Sequence, residues 1–290
     1  MTRTHVLLLS LLLALLALCW AVARHRREAA ATTPHATCCE PAGLEAKPIH
    51  AIRDREFGGA RESLVRNLLD GPIEVRCTMV SPENMRAVPE LPRRLVLGAG
   101  EEHVVAELRP VDTTLASRAA VACEAIVGDP RARPAERRTY DFPLPTGTHY
   151  TLDQGFDGRF SHDTPEGAYS LDFGVPEGTP VLAARAGVVM QVEDAFRTSG
   201  RDSARFGDRA NFIRVLHDDG SMAVYAHLAP HSLAVRLGAR VGTGQLLARS
   251  GNTGFSTGPH LHFSVQHNAG MALRSIPFSV AGVDPRKARR

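Results

Sequence analysis

Two histidines one residue apart, His260 and His262 in the stretch GPHLHFSV (Gly258 to Val265), pose the first chemical question. In a strand, residues i and i+2 share a face. Both imidazoles then project together while Leu261, Phe263 and Val265 turn towards a core. Imidazole is a common metal ligand and proton carrier at neutral pH. A hydrolytic zinc centre needs three nitrogen or oxygen ligands and an open position for water. A further group must take the proton or hold the developing oxyanion. His162, Asp172 and one member of the His260/His262 pair supply such a ligand set. The other member and His227 remain for acid–base and oxyanion work. Eight of the 13 histidines lie after residue 145. His149, His217, His231 and His267 fall at strand ends or turns and read as solvated surface residues.

The elements that must position these groups are short strands. The run ANFIRVLH, the turn Asp218-Asp219-Gly220 and the run SMAVYAHL form a hairpin signal, with His227 near the strand end on the face of Tyr225. GTPVLAARAGVVMQVED reads as two β-runs around Ala186-Gly187. No long amphipathic helix is legible in this half.

The segments LDFGVPEGTPVLAARAGVV, YAHL and GNTGFSTGPHLHFSV resemble the lysostaphin/LytM-type zinc peptidases, the M23 peptidoglycan endopeptidases, over roughly residues 145–283. Three motifs occur in that family's order. The resemblance implies a mostly antiparallel β-sheet with a narrow groove for an extended peptide. It also implies one zinc ion held by His162, Asp172 and His262, with His260 as general base and His227 assisting by polarising the substrate or stabilising the tetrahedral intermediate. The implied substrate is the peptide of bacterial peptidoglycan. The family's first motif has three residues between its His and Asp, whereas nine separate His162 from Asp172. A second class of function, a non-catalytic module that binds cell wall or activates an amidase, is marked in this family by lost ligands; all five residues are present in this chain.

Residues 49–141 read differently, as short β-type runs between turn residues, consistent with a small β-sandwich-like domain. SLVRNLL, Asp70-Gly71-Pro72 and IEVRCTMV resemble a hairpin. No catalytic constellation occurs in this half. The fold class is thus mostly β, an antiparallel metallopeptidase-like sheet (142–283) behind a β-rich domain, with a basic tail at 284–290. A net charge of +3 spread over 290 residues does not argue for nucleic acid.

The N-terminus carries an export segment. Arg3 precedes an uncharged run from Val6 to Ala23, which Arg24, Arg26 and Arg27 follow. At 18 residues the run leaves two readings open, a signal peptide cleaved after residues 1–23 or an inner-membrane anchor through residues 6–23. Residues 24–48 read as a linker. Export places the chain in the periplasm or outside the cell, where disulfides form. Cys38, Cys39, Cys77 and Cys123 allow three connectivities. A Cys77–Cys123 bridge within one domain, tying sheets together, is the expectation.

Overall fold

The computed structural model describes residues 45–57, 60–135 and 137–288. The leader (residues 6–23) and Cys38 and Cys39 lie outside the described residues. Among the described residues no helix is long and apolar enough to cross a membrane.

Seven strands occupy the first part: β1 (His50–Phe57), β2 (Ala60–Asn67), β3 (Ile73–Glu83), β4 (Met85–Val88), β5 (Arg93–Leu97), β6 (Glu102–Pro110) and β7 (Arg118–Val127). They form a four-stranded sheet, β1-β2-β6-β4, and a three-stranded sheet, β5-β3-β7. Val65, Val105 and Leu108 from the first sheet and Ile73, Val75 and Val121 from the second meet in one apolar cluster. The runs around Asp70-Gly71-Pro72 are therefore not a hairpin, because β2 and β3 belong to different sheets. Alternation marks both as strands but cannot say that the chain crosses over between them. Asn67 holds the crossing, donating from Nδ2 to the carbonyls of Gly71 and Gly98 and accepting from the Leu69 amide. Cys77 and Cys123 are bonded, as expected. They are cross-strand partners on β3 and β7, so the bridge ties neighbours in one sheet rather than two sheets.

Beyond these lie β8 (Thr139–Tyr140), β9 (Thr151–Gln154), β10 (Ser170–Gly174), β11 (Pro180–Leu182), β12 (Gly187–Glu193), β13 (Ser199–Gly200), the one-turn helix α1 (Ser203–Phe206) and β14 (Phe212–Leu216). There follow β15 (Met222–Ala226), β16 (Arg240–Val241), β17 (Leu246–Arg249), β18 (Gly254–Phe255), β19 (Leu261–Asn268), β20 (Leu273–Ser275) and β21 (Ser279–Val280). The main sheet has the order β16-β12-β14-β15-β19-β10-β9, with β20 also paired to β19. β14 and β15 form the expected antiparallel hairpin.

Alternation along these strands sorts the side chains. Leu171, Phe173, Ile213, Val215, Ala223, Tyr225, Leu261, Phe263 and Val265 all join one core. Each large apolar side chain buried there contributes about 1.5–3 kcal/mol, so a one-residue slip of β19, which would bury its imidazole in place of Phe263, is excluded. The opposite face carries rows of cross-strand partners. Asp172, His262, Ala226 and Phe212 form one row, and Ser170, Ser264, Val224 and Arg214 form the next. Further along, Met222 and Met190 are buried in the cluster of the first two sheets. Asp70 donates its amide to the Met190 carbonyl, and Asn268 Nδ2 donates to the Gly128 carbonyl. The β-rich first part thus covers the far end of the same face.

Candidate metal centre and groove

The row Asp172–His262 is the floor of a groove of about 680 Å³, lined also by Gln154, Phe160, His227, Phe255 and His260. Asp172 and His262 face each other across β10 and β19. His162 enters from the loop before β10, where its amide bonds to the Gly158 carbonyl. One ligand atom from each of His162, Asp172 and His262 lies within 4.8 Å of the others. His162 Nε2 stands 3.2 Å and His262 Nδ1 2.9 Å from Asp172 Oδ1.

Their partners set the chemistry of these atoms. His162 Nδ1 lies 2.8 Å from the Gly155 carbonyl, which can only accept, so the proton is on Nδ1 and Nε2 presents a lone pair. That Nε2 is buried and makes no hydrogen bond among the described residues. A buried polar atom is costly without a partner; aimed at a carboxylate and a second imidazole, it fits a metal cation. Gln154 Nε2 donates to Asp172 Oδ2 at 2.7 Å and leaves Oδ1 turned to the cluster. Outer partners of this kind fix the ring and carboxylate orientation of metal ligands.

Burial alone would push the Asp172 carboxyl up, but the imidazoles of His162 and His262 hold it well below the usual carboxylate range. His262 is lowered, chiefly by burial. For His162, burial is outweighed by Asp172 and the Gly155 carbonyl, and its pKa is raised. An anionic carboxylate between imidazoles is the donor set a divalent cation takes.

His260 and His227 stand beside this cluster with ring centroids 4.4 Å apart. His260 Nδ1 lies 2.8 Å from the Gly258 carbonyl, and His227 Nδ1 2.7 Å from that of Thr253. Both rings therefore carry their proton on Nδ1 and keep Nε2 as an acceptor. His260 Nε2 lies 3.9 Å from Asp172 Oδ1. Burial, then the neighbouring His260 and His262, push His227 down to about 3, so it is neutral at pH 7.

Four of the five sequence-predicted residues, Asp172, His227, His260 and His262, line this groove, and His162 is buried against Asp172. His227 does not share a face with Tyr225, however. Tyr225 is in the core, its hydroxyl accepting from the Ala184 amide. His227 follows the end of β15 with φ of 60°, and this left-handed turn breaks the strand alternation. His217 is not a solvated residue either, being 4% exposed with Nδ1 on the Ala186 carbonyl. Gln154 and Arg214 carry no motif. The one signal for Arg214 was a cation in the middle of the apolar strand FIRVL.

Residues 166–273 match the profile of peptidase family M23. The matched segment holds Asp172, His227, His260 and His262, while His162 lies just before it. The chain is 32% identical over 124 residues to the peptidoglycan DD-endopeptidase ShyA of Vibrio cholerae, covering 42% of this chain and 26% of that one. It is 36% identical over 102 residues to the glycyl-glycine endopeptidase ALE-1 of Staphylococcus capitis, covering 35% and 25%. Both matches span about a quarter of the relative's own length. Among solved structures, the antimicrobial peptidase lysostaphin from Staphylococcus simulans is 30% identical, with 42% of this chain and 44% of that chain covered and a TM-score of 0.31. The chain carries a peptidase family M23 domain.

Proposed function

We propose that the chain is an exported, zinc-dependent endopeptidase that hydrolyses peptide cross-links of bacterial peptidoglycan. The observation that carries this reading is the orphaned lone pair of His162 Nε2, directed with His262 Nδ1 at one oxygen of Asp172 on the floor of an open groove. Ligand atoms about 2.0–2.1 Å from a tetrahedral zinc ion stand roughly 3.3 Å apart, close to the 2.9 and 3.2 Å separations of this cluster. His162, Asp172 and His262 would hold the ion. When bound, zinc supplies a Lewis acid and an acidified water.

The chain's own residues do the rest. A water in the groove has two protons to place. His260 Nε2 takes one and later returns it to the leaving amine. His227 Nε2, an acceptor in its neutral form, takes a hydrogen bond from the other and so fixes the water's orientation. This role suits its protonation state better than direct donation to an oxyanion, for which Nε2 must first acquire a proton. The carbonyls of Gly258 and Thr253 keep both rings in the required tautomer. An extended peptide suits a groove lined by strands, and the similarity to the peptidoglycan DD-endopeptidase ShyA supports a peptidoglycan substrate. Residues 49–141 act as a positioning domain at one end of the groove. Export rests on the leader.

Sacculi incubated with the full chain and analysed by mass spectrometry test this reading. New cross-link fragments that vanish with a zinc chelator and with His260→Ala are expected. Walls of several cross-link types that all stay intact while binding the protein would contradict it and favour a non-catalytic wall-binding module.

A further inference from the structure

Among the described residues, Arg214 is a cation with no counter-ion. It is 8% exposed, lies on the groove floor, and has no carboxylate within ion-pair distance among the described residues. Its Nη1 donates to Gln266 Oε1 at 2.6 Å and its Nε to Gln191 Oε1 at 3.1 Å, while Nη2 makes no hydrogen bond among the described residues. Gln191 is its direct cross-strand partner, and Gln266 is itself tethered through Nε2 to the Glu166 carbonyl. Two amide oxygens therefore fix the guanidinium in place without neutralising it. Burial pulls its pKa down to about 10, which leaves it charged at pH 7. A buried charge is expensive unless paired, and a merely structural position would be filled as well by an apolar residue. The first two sheets close the face just beyond it, through Met190 and Met222.

We propose that Arg214 is a specificity residue of the groove, pairing with a carboxylate that the substrate peptide carries some distance from the scissile amide. The proposal rests on the endopeptidase reading. Arg214 lies one row along the strands and two strands across from His262. With about 3.4 Å per residue and about 4.8 Å between strands, the Cα atoms are roughly 12 Å apart. The recognised carboxylate thus belongs to a side chain or terminus about two to four residues from the bond cut. A guanidinium with one free amino edge and a locked orientation suits a planar carboxylate, and the bond formed supplies the missing charge.

The test uses the zinc-loaded full chain with His260→Ala to stop turnover. Isothermal titration follows binding of cross-linked muropeptide dimers in two forms. One is native, and in the other carbodiimide and ammonia have converted the carboxylates to carboxamides. The native form is expected to bind about tenfold or more tightly than the amidated one. Adding Arg214→Met should abolish this preference by weakening binding of the native form towards that of the amidated one, while Arg214→Lys should keep part of it. Equal binding of both forms, no binding of either, or a preference that survives in Arg214→Met would overturn the proposal. The wild-type comparison of the two forms needs no folded variant at position 214. Cleavage of sacculi without any carboxylate preference removes only the role of Arg214. A preference without cleavage removes only the hydrolase reading.

Discussion

Asp172 and His262 are direct cross-strand partners, and Asp172 Oδ1 lies 2.9 Å from His262 Nδ1. The register of two strands thus places two of the three proposed ligand atoms against each other before any loop is considered. The third, His162, must come from outside the sheet, and the nine-residue connection delivers it with its Nδ1 capped by the Gly155 carbonyl. The centre is therefore as rigid as the sheet on two sides and only as rigid as a loop on the third.

Gln154 secures the carboxylate from behind. Replacing it by Leu removes the 2.7 Å bond to Asp172 Oδ2 but no ligand atom. Metal affinity should fall about 10- to 100-fold, as read by competition with a chromogenic chelator, with the stoichiometry still one per chain. Affinity equal to wild type would show that Gln154 plays no part in orienting the carboxylate.

His217 is a built-in acid sensitivity. Burial pushes its pKa down to about 4, opposed by the Ala186 carbonyl and reinforced by the charge of Arg185. It stays neutral in the fold down to that pH, whereas the unfolded chain takes up a proton below about 6.5. The unfolded state thus binds more protons between the two values, and stability falls as pH drops through that window. Between pH 7.5 and 5 the cost is about 2 kcal/mol. Urea unfolding at both pH values should show wild type losing about that much more than His217→Asn; equal losses would refute the assignment.

The Cys77–Cys123 bridge joins adjacent strands across a sequence separation of 46 residues. Cross-links of this span stabilise by about 2–4 kcal/mol. Denaturant unfolding with and without reductant should show that loss, and Cys77→Ala should reproduce it without reductant. An unchanged midpoint would mean that the first two sheets hold without the bond.

Much of this site is legible as alternation. The apolar residues Leu261 and Phe263 on either side of His262 say which way the imidazole must point, and Asp172 lies in the segment LDFGVPEGTPV that carries the family resemblance. What alternation does not carry is the third dimension. It marks β2 and β3 as strands without saying that they lie in different sheets. It puts His227 on the face of Tyr225, because a single left-handed residue that ends the pattern has no signature when it is not glycine. His217 looks like a turn residue until the Ala186 carbonyl is found above it. Gln154 and Arg214 act through partners 18 and 52 residues away, Asp172 and Gln266, and only the fold brings those together.

His162, in spite of its distant spacing, is proposed to complete the metal centre with Asp172 and His262. Zinc titration of the full chain, with the bound ion counted by mass spectrometry under native conditions, tests it most directly. One tightly held zinc per wild-type chain is expected, its affinity reduced at least about 100-fold in His162→Ala and unaltered in His149→Ala. A His162→Ala chain that still binds one zinc with wild-type affinity would contradict the account.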